Sequence, residues 1–159
     1  LLTMDKPHLL AQIVAILTHD LDVLTRAAQT AYEAATAEEN IAENKYDTLG
    51  LEASYLATGQ ARRSAQIRQA LLIYQQLLLR DYDPARGVQV SNLVKLEDEE
   101  GSQRQLFLGP EAAGLKIGEG DELVTVITPR SPLGQQLMGK KIDDEVCLGA
   151  QVLFIIDIT

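Results

Sequence analysis

Residues 8 to 49 contain neither glycine nor proline. In a chain of 159 residues no other feature restricts the fold as much. Apolar or alanine residues recur there at Leu10, Ile13, Leu17, Leu21, Leu24, Ala28, Ala31 and Ala35, in steps of three and four. That near-heptad spacing is the seam of a helix packed along a second helix. Asp5-Lys6-Pro7 in front of it supplies a capping acid and a first-turn proline. A helix from Pro7 to about Glu43 would be about 55 Å long at about 1.5 Å per residue. A second seam runs through Ile67, Leu71, Tyr74 and Leu78, with Ala70 and Leu77 beside it. Two matching seams with a short connection predict an antiparallel helical hairpin, a coiled coil. The bulky seam residues lie at its base and the far part is alanine-rich and polar, so the tip serves something other than stability.

The character of the chain changes at Asp81-Tyr82-Asp83-Pro84-Ala85-Arg86-Gly87, where proline stops a helix and glycine permits a turn. Strand-like runs follow at Leu93 to Leu96, Gln105 to Leu108, Glu122 to Ile127, Glu145 to Leu148 and Gln151 to Ile158, separated by turn signals. Ser131 and Pro132 open a short helix, reaching to about Met138. The expected class is α+β: a hairpin over residues 1–83, then an antiparallel sheet with one helix over residues 84–159. The join at Asp83 to Gly87 reads as an elbow with few buried contacts. Phe107, Phe154 and Cys147 sit in apolar runs and read as core.

Acids outnumber bases 23 to 14, a net charge of −9. Neutralising phosphates needs surplus Lys and Arg, so the balance argues against sequence-specific DNA binding and against attachment to an anionic membrane by charge. No apolar run approaches the ~20 residues of a bilayer span, and no secretory signal is visible; the expected location is the cytoplasm. One cysteine builds neither an internal disulfide nor a cysteine zinc site. His8 and His19 share a helix face but stand too far apart to chelate one ion, and neither lies near Cys147 in sequence, so no nucleophile–base pair is visible. The chain reads as no enzyme on its own, with no cofactor of its own, and as a monomer, because the partner helix already covers the seam.

The stretch Ser131-Pro132-Leu133-Gly134-Gln135-Gln136-Leu137-Met138-Gly139-Lys140-Lys141-Ile142-Asp143-Asp144-Glu145-Val146 closely resembles the C-terminal signature of the bacterial GreA/GreB transcript-cleavage factors. That signature runs Ser-Pro, a small helix ending Leu-Gly-Lys, then an acidic turn into a strand. Leu123 to Ile127 matches the preceding strand, and Glu52-Ala53-Ser54-Tyr55 is similar to the family's Asn-Ala-Glu-Tyr segment past the hairpin tip. The resemblance implies a long helical hairpin followed by an FKBP-like domain. It also implies bacterial RNA polymerase as partner, with Ser131 and Pro132 at the docking loop and Arg130 where the family often has Asp or Asn.

In that family the hairpin enters the secondary channel of the polymerase. Two tip acids help hold the polymerase's Mg2+ while backtracked RNA is cut near its 3′ end. Placing the family's tip tyrosine on Tyr55 puts those two acid positions on Thr48 and Leu51. Asp47 and Glu52 each stand one residue away; matching on Glu43-Asn44 instead, with Tyr46 in the place of the tyrosine, uses Glu43 but loses the rest of the motif. Residues 36–52 nevertheless hold Glu38, Glu39, Glu43, Asp47 and Glu52 against the single Lys45, while the rest of residues 1–83 balances six acids with six bases. A carboxylate tip suits a shared hard cation. With the bend between about Asn44 and Gly50 and Thr48 capping the second helix, Asp47 falls near the apex as the metal contact, with Glu43 and Glu52 on the flanking helix ends. Two readings remain open here: a factor whose tip acids assist cleavage, and a regulator that occupies the channel without stimulating it.

Overall fold

A computed structural model describes residues 5–39 and 47–159, with side chains outside 36–56. Helix α1 spans Lys6–Glu39 and α2 spans Asp47–Gln75, forming the expected hairpin. Asp5 caps α1: its carboxylate accepts from the His8 amide at 2.8 Å and its carbonyl from the Leu9 amide at 2.9 Å. Contacts divide the chain into two compact units, one of Leu1–Val14 with Ile73–Thr159 and the other Ala15–Leu72.

In the unit of helices alone, burial fades along the seam. Leu17, Ile67 and Ala70 are buried, Leu21 and Leu24 half-buried, and Ala28, Ala31 and Ala35 exposed. The outer stretch of α1 is held by its own local contacts. Asp22 pairs with Arg26 at 3.0 Å, and the Thr25 and Thr30 hydroxyls donate to the carbonyls of Leu21 and Arg26. By length and composition α1 could cross a bilayer: within Lys6–Ala35 an 18-residue window reaches a mean hydropathy of 1.2. The expectation from uninterrupted apolar runs missed this because Asp20 and Asp22 break the run without lowering the average enough. Leu9 and Ile13 of this helix are fully buried within protein.

Helix α2 ends at Gln75, earlier than the sequence indicates. Its last turn tightens through bonds from the Gln76 and Leu77 amides to the Ile73 and Tyr74 carbonyls. Leu78, expected in the seam, is 74% exposed. The cause is tertiary. The Arg80 amide donates to Ser91 Oγ at 2.8 Å, and the Arg80 carbonyl accepts from Lys6 Nζ and, at 3.3 Å, from Asn92 Nδ2. These bonds tie residue 80 to Ser91 and Asn92, just before the strand that opens at Leu93. Burial lowers the pKa of the Lys6 ammonium, partly offset by the Asp81 carboxylate.

The second part is a six-stranded sheet with strands β1 Leu93–Asp98, β2 Gln103–Leu108, β3 Lys116–Ile117, β4 Val124–Ile127, β5 Glu145–Leu148 and β6 Gln151–Ile158, in the order β3-β4-β2-β1-β6-β5. All neighbours are antiparallel except β2 and β4, which pair in parallel from Gln105↔Val124 to Leu108↔Ile127. The sheet is therefore mixed, not wholly antiparallel. The long connection through 109–123, carrying β3 and a 3-10 turn at Gly120–Glu122, allows that parallel pairing, which a tight hairpin cannot make. Helix α3, Pro132–Leu137, belongs to the core through Leu137, which clusters with Val94, Leu96, Leu106, Leu108 and Ile155. Phe107 is fully buried, but Phe154 is only half-buried and Cys147 is exposed. Cys147 lies on the outermost strand, where alternation turns it away from the buried Val146.

The join at Asp83 to Gly87 is densely bonded. The Asp83 carbonyl accepts from the Arg86 and Gly87 amides, and its carboxylate from the Ala85 amide. Gly87 has φ +75°, and a Cβ there would stand 2.2 Å from the Gly139 carbonyl oxygen. Gly87→Ala should destabilise the protein by more than about 1 kcal/mol in urea unfolding, combining positive φ with a clash against backbone. Gly59 inside α2 has open space around its missing Cβ, so Gly59→Ala should instead stabilise by about 0.5–1 kcal/mol.

Candidate functional site

The residues singled out by the C-terminal signature come together in one rigid turn between β4 and α3. Ser131 is the cap of α3: its Oγ accepts from the Gly134 amide at 3.3 Å and donates to the Thr128 carbonyl at 2.7 Å. Pro132 follows as the first helical residue and is exposed. Its missing N–H costs nothing at a position where a helix has no acceptor for it. Gly134 is buried, and a Cβ there would stand 1.8 Å from the Thr128 carbonyl oxygen. Glycine is thus what lets α3 start so close to the end of β4.

Arg130 projects from this turn and pairs with Glu111 at 3.0 Å. The Glu111 carbonyl accepts from the Tyr74 hydroxyl at 2.6 Å. Tyr74, fully buried in the last turn of α2, therefore supports the loop that Arg130 grips. Gly109 makes room for the phenol, since a Cβ there would meet the Tyr74 oxygen at 2.0 Å. Burial pushes the Tyr74 hydroxyl well above the ordinary tyrosine value. Sequence reasoning placed Tyr74 in the seam by spacing alone and missed this role. A phenol at an otherwise aliphatic seam position was the available signal. Nothing in the sequence marks Glu111.

The rest of the signature builds the far side of α3. Gly139 takes φ +80° and ends the helix. Its amide donates to the Val88 carbonyl at 2.9 Å, and the Lys140 carbonyl accepts from the Val88 amide at 2.8 Å. The Asp144 carboxylate accepts from the Lys141 amide at 2.8 Å, and Asp143 sits at φ +74°. The acidic turn thus has a structural use of its own.

The tip is described less fully. Glu43 lies outside the described residues. Asp47 and Glu52 fall within α2, which begins at Asp47 and includes Thr48 and Gly50. For these two acids the description extends to backbone only. Gly50, expected at the bend, lies inside α2; a glycine inside a helix is tolerated at a cost of about 1 kcal/mol. Among the described residues no group of three or more His, Cys, Asp or Glu side chains is placed to hold a metal ion. His8 contacts Gln12 at 3.1 Å. Arg62, Arg63 and Arg68 are exposed on α2.

No protein-family model matches the chain, and no curated protein matches it. Among solved structures it is similar to the GreA factor homolog 1 (Gfh1) of Thermus thermophilus, at 21% identity, covering 92% of this chain and 94% of that one, with a TM-score of 0.39. A second structure, of the transcription factor Gfh1, is 19% identical over 91% of this chain and 92% of that one, with a TM-score of 0.38. The Gfh1 of Thermus aquaticus is 18% identical over 91% and 92%, with a TM-score of 0.36.

Ser131→Ala should cost ~1 kcal/mol through loss of the cap, read as a lower urea midpoint. The Tyr74 hydroxyl gives a pH signature. Its folded pKa is raised above the ordinary 10.0, so its contribution is complete below about pH 10 and is lost as pH rises beyond it, where the unfolded chain releases the proton first. Stability of the wild type should therefore fall more steeply than that of Tyr74→Phe above that pH.

Proposed function

We propose that this chain is a regulator of bacterial RNA polymerase that occupies the secondary channel without stimulating cleavage of backtracked RNA. The hairpin, residues 1–83, enters the channel, and the FKBP-like domain, residues 84–159, docks at the rim through Ser131, Pro132 and Arg130. The observation that carries this reading is the Ser131–Val146 segment, similar to the GreA/GreB signature in order and spacing. Its residues have distinct structural tasks: Ser131 caps α3, Gly134 allows its close start, and Gly139 and Lys140 tie down Val88. What remains exposed at the turn is Pro132, with the Arg130 guanidinium beside it.

The choice between binding and cleavage rests on the tip. With the family's tip tyrosine placed on Tyr55, the alignment that keeps most of the motif, this chain carries Thr48 and Leu51 at the two acid positions. Neither is a carboxylate that can share a metal. The chemistry of cutting RNA, and its Mg2+, belong to the polymerase. In this reading the tip's surplus acids alter initiation or elongation from within the channel. The protein acts as a cytoplasmic monomer.

The second reading, assisted cleavage, draws on the crowding of Glu43, Asp47 and Glu52 near the tip. Purified backtracked elongation complexes distinguish the two. With this protein added, we expect saturable binding and no acceleration of RNA shortening from the 3′ end. Faster shortening that Asp47→Ala abolishes, with binding retained, would overturn the regulator in favour of a cleavage factor. Pro132→Ala, which removes no hydrogen bond, should weaken binding while leaving the unfolding free energy within about 0.5 kcal/mol of wild type. Unchanged affinity would remove the turn from the interface.

A further inference from the structure

Strand β5 is the outermost strand of the sheet beside β6. Its register with β6, Val146↔Leu153, Cys147↔Val152 and Leu148↔Gln151, closes on the two-residue turn Gly149-Ala150, with Gly149 at φ +63°. The backbone groups of Cys147 point away from β6. An outward amide and carbonyl on an edge strand are a template for another strand. Here both are taken. The Gln136 side chain of α3 donates from Nε2 to the Cys147 carbonyl at 2.7 Å and accepts at Oε1 from the Cys147 amide at 2.8 Å. A primary amide side chain presents the donor and acceptor of a peptide group. Gln136 thus occupies the place of the next strand.

We propose that Gln136 is an edge guard, and that the surface it blocks is one on which a second copy of this chain would pair, β5 against β5. An antiparallel match centred on Cys147 sets each Val146 opposite a Leu148 and each Glu145 opposite a Gly149. No like charges then face each other across the pair, which is the usual obstacle to edge pairing. Leu148, 38% exposed, gains cover in that arrangement. The guard is cheap to open, because Gln136 is itself exposed and its two bonds exchange for water. The inference concerns assembly and stands apart from the polymerase reading.

The test uses the full chain, with Gln136→Ala, which removes both hydrogen bonds and the side chain that fills the place of the next strand, and Gln136→Ser as a second variant. Hydrogen exchange at the Cys147 amide reads the clip, and sedimentation across a concentration series reads assembly. We expect a protected Cys147 amide and a monomer in the wild type. In the variants we expect concentration-dependent dimers that a short bis-maleimide joins through Cys147, and that Cys147→Ser added to either variant leaves unjoined. Three results would overturn the proposal: variants that stay monomeric with a deprotected Cys147 amide, an amide equally protected without Gln136, or a wild type that already pairs through β5.

Discussion

The pairing of Val88 with Gly139 and Lys140 is the contact on which the sheet domain depends. Two backbone bonds, at 2.8 and 2.9 Å, join the first residues after the Asp83–Gly87 turn to the end of α3. They form only if Gly87 lacks a side chain and takes φ +75°, and only if Gly139 ends α3 at φ +80°. Val88, fully buried, then enters the cluster with Leu137 and Val146. The approach of the chain from the hairpin and the position of α3 are fixed by one local arrangement. The elbow is consequently a bonded junction rather than a loose hinge.

The same economy appears where polar groups are buried. Ser91 adopts φ +78°, rare for a residue with a Cβ. It is held there by its amide bond to the Leu108 carbonyl and by accepting from the Arg80 amide. Lys6 donates to the carbonyls of both Arg80 and Ser91. These bonds give partners to backbone groups of Arg80 and Ser91. Lys6 and Tyr74 thereby tie the base of the hairpin to residues 80, 91 and 111 by hydrogen bonds.

Stability and charge are distributed in opposite directions along the hairpin. Burial is complete at Leu9 and Ile13, partial at Leu21 and Leu24, and gone at Ala28. The surplus of acids is concentrated in residues 36–52. The exposed seam residues Ala28, Ala31 and Ala35 bury little and so contribute little to folding. Pro132 is exposed at its turn, where the capping and close approach fall on Ser131 and Gly134 and Arg130 pairs with Glu111.

The sequence alone determined the helical hairpin, the cap at Asp5, the Ser131-capped short helix and most of the strand positions. These follow from local rules: a 3.6-residue period, a period of two, and the φ demands of Gly and Pro. Its family-like signature also singled out one turn from the whole surface. Tertiary structure alone decided where α2 stops, because Arg80 is held by Lys6, Ser91 and Asn92 from distant parts of the chain. It also decided the parallel pairing of β2 with β4, the grip of Tyr74 and Arg130 on Glu111, and the clip of Gln136 on Cys147. Each of these joins residues that share no periodicity. A hydrogen bond of about 1 kcal/mol between such residues leaves no trace in the spacing of either, and exists only once the rest of the fold has brought them together.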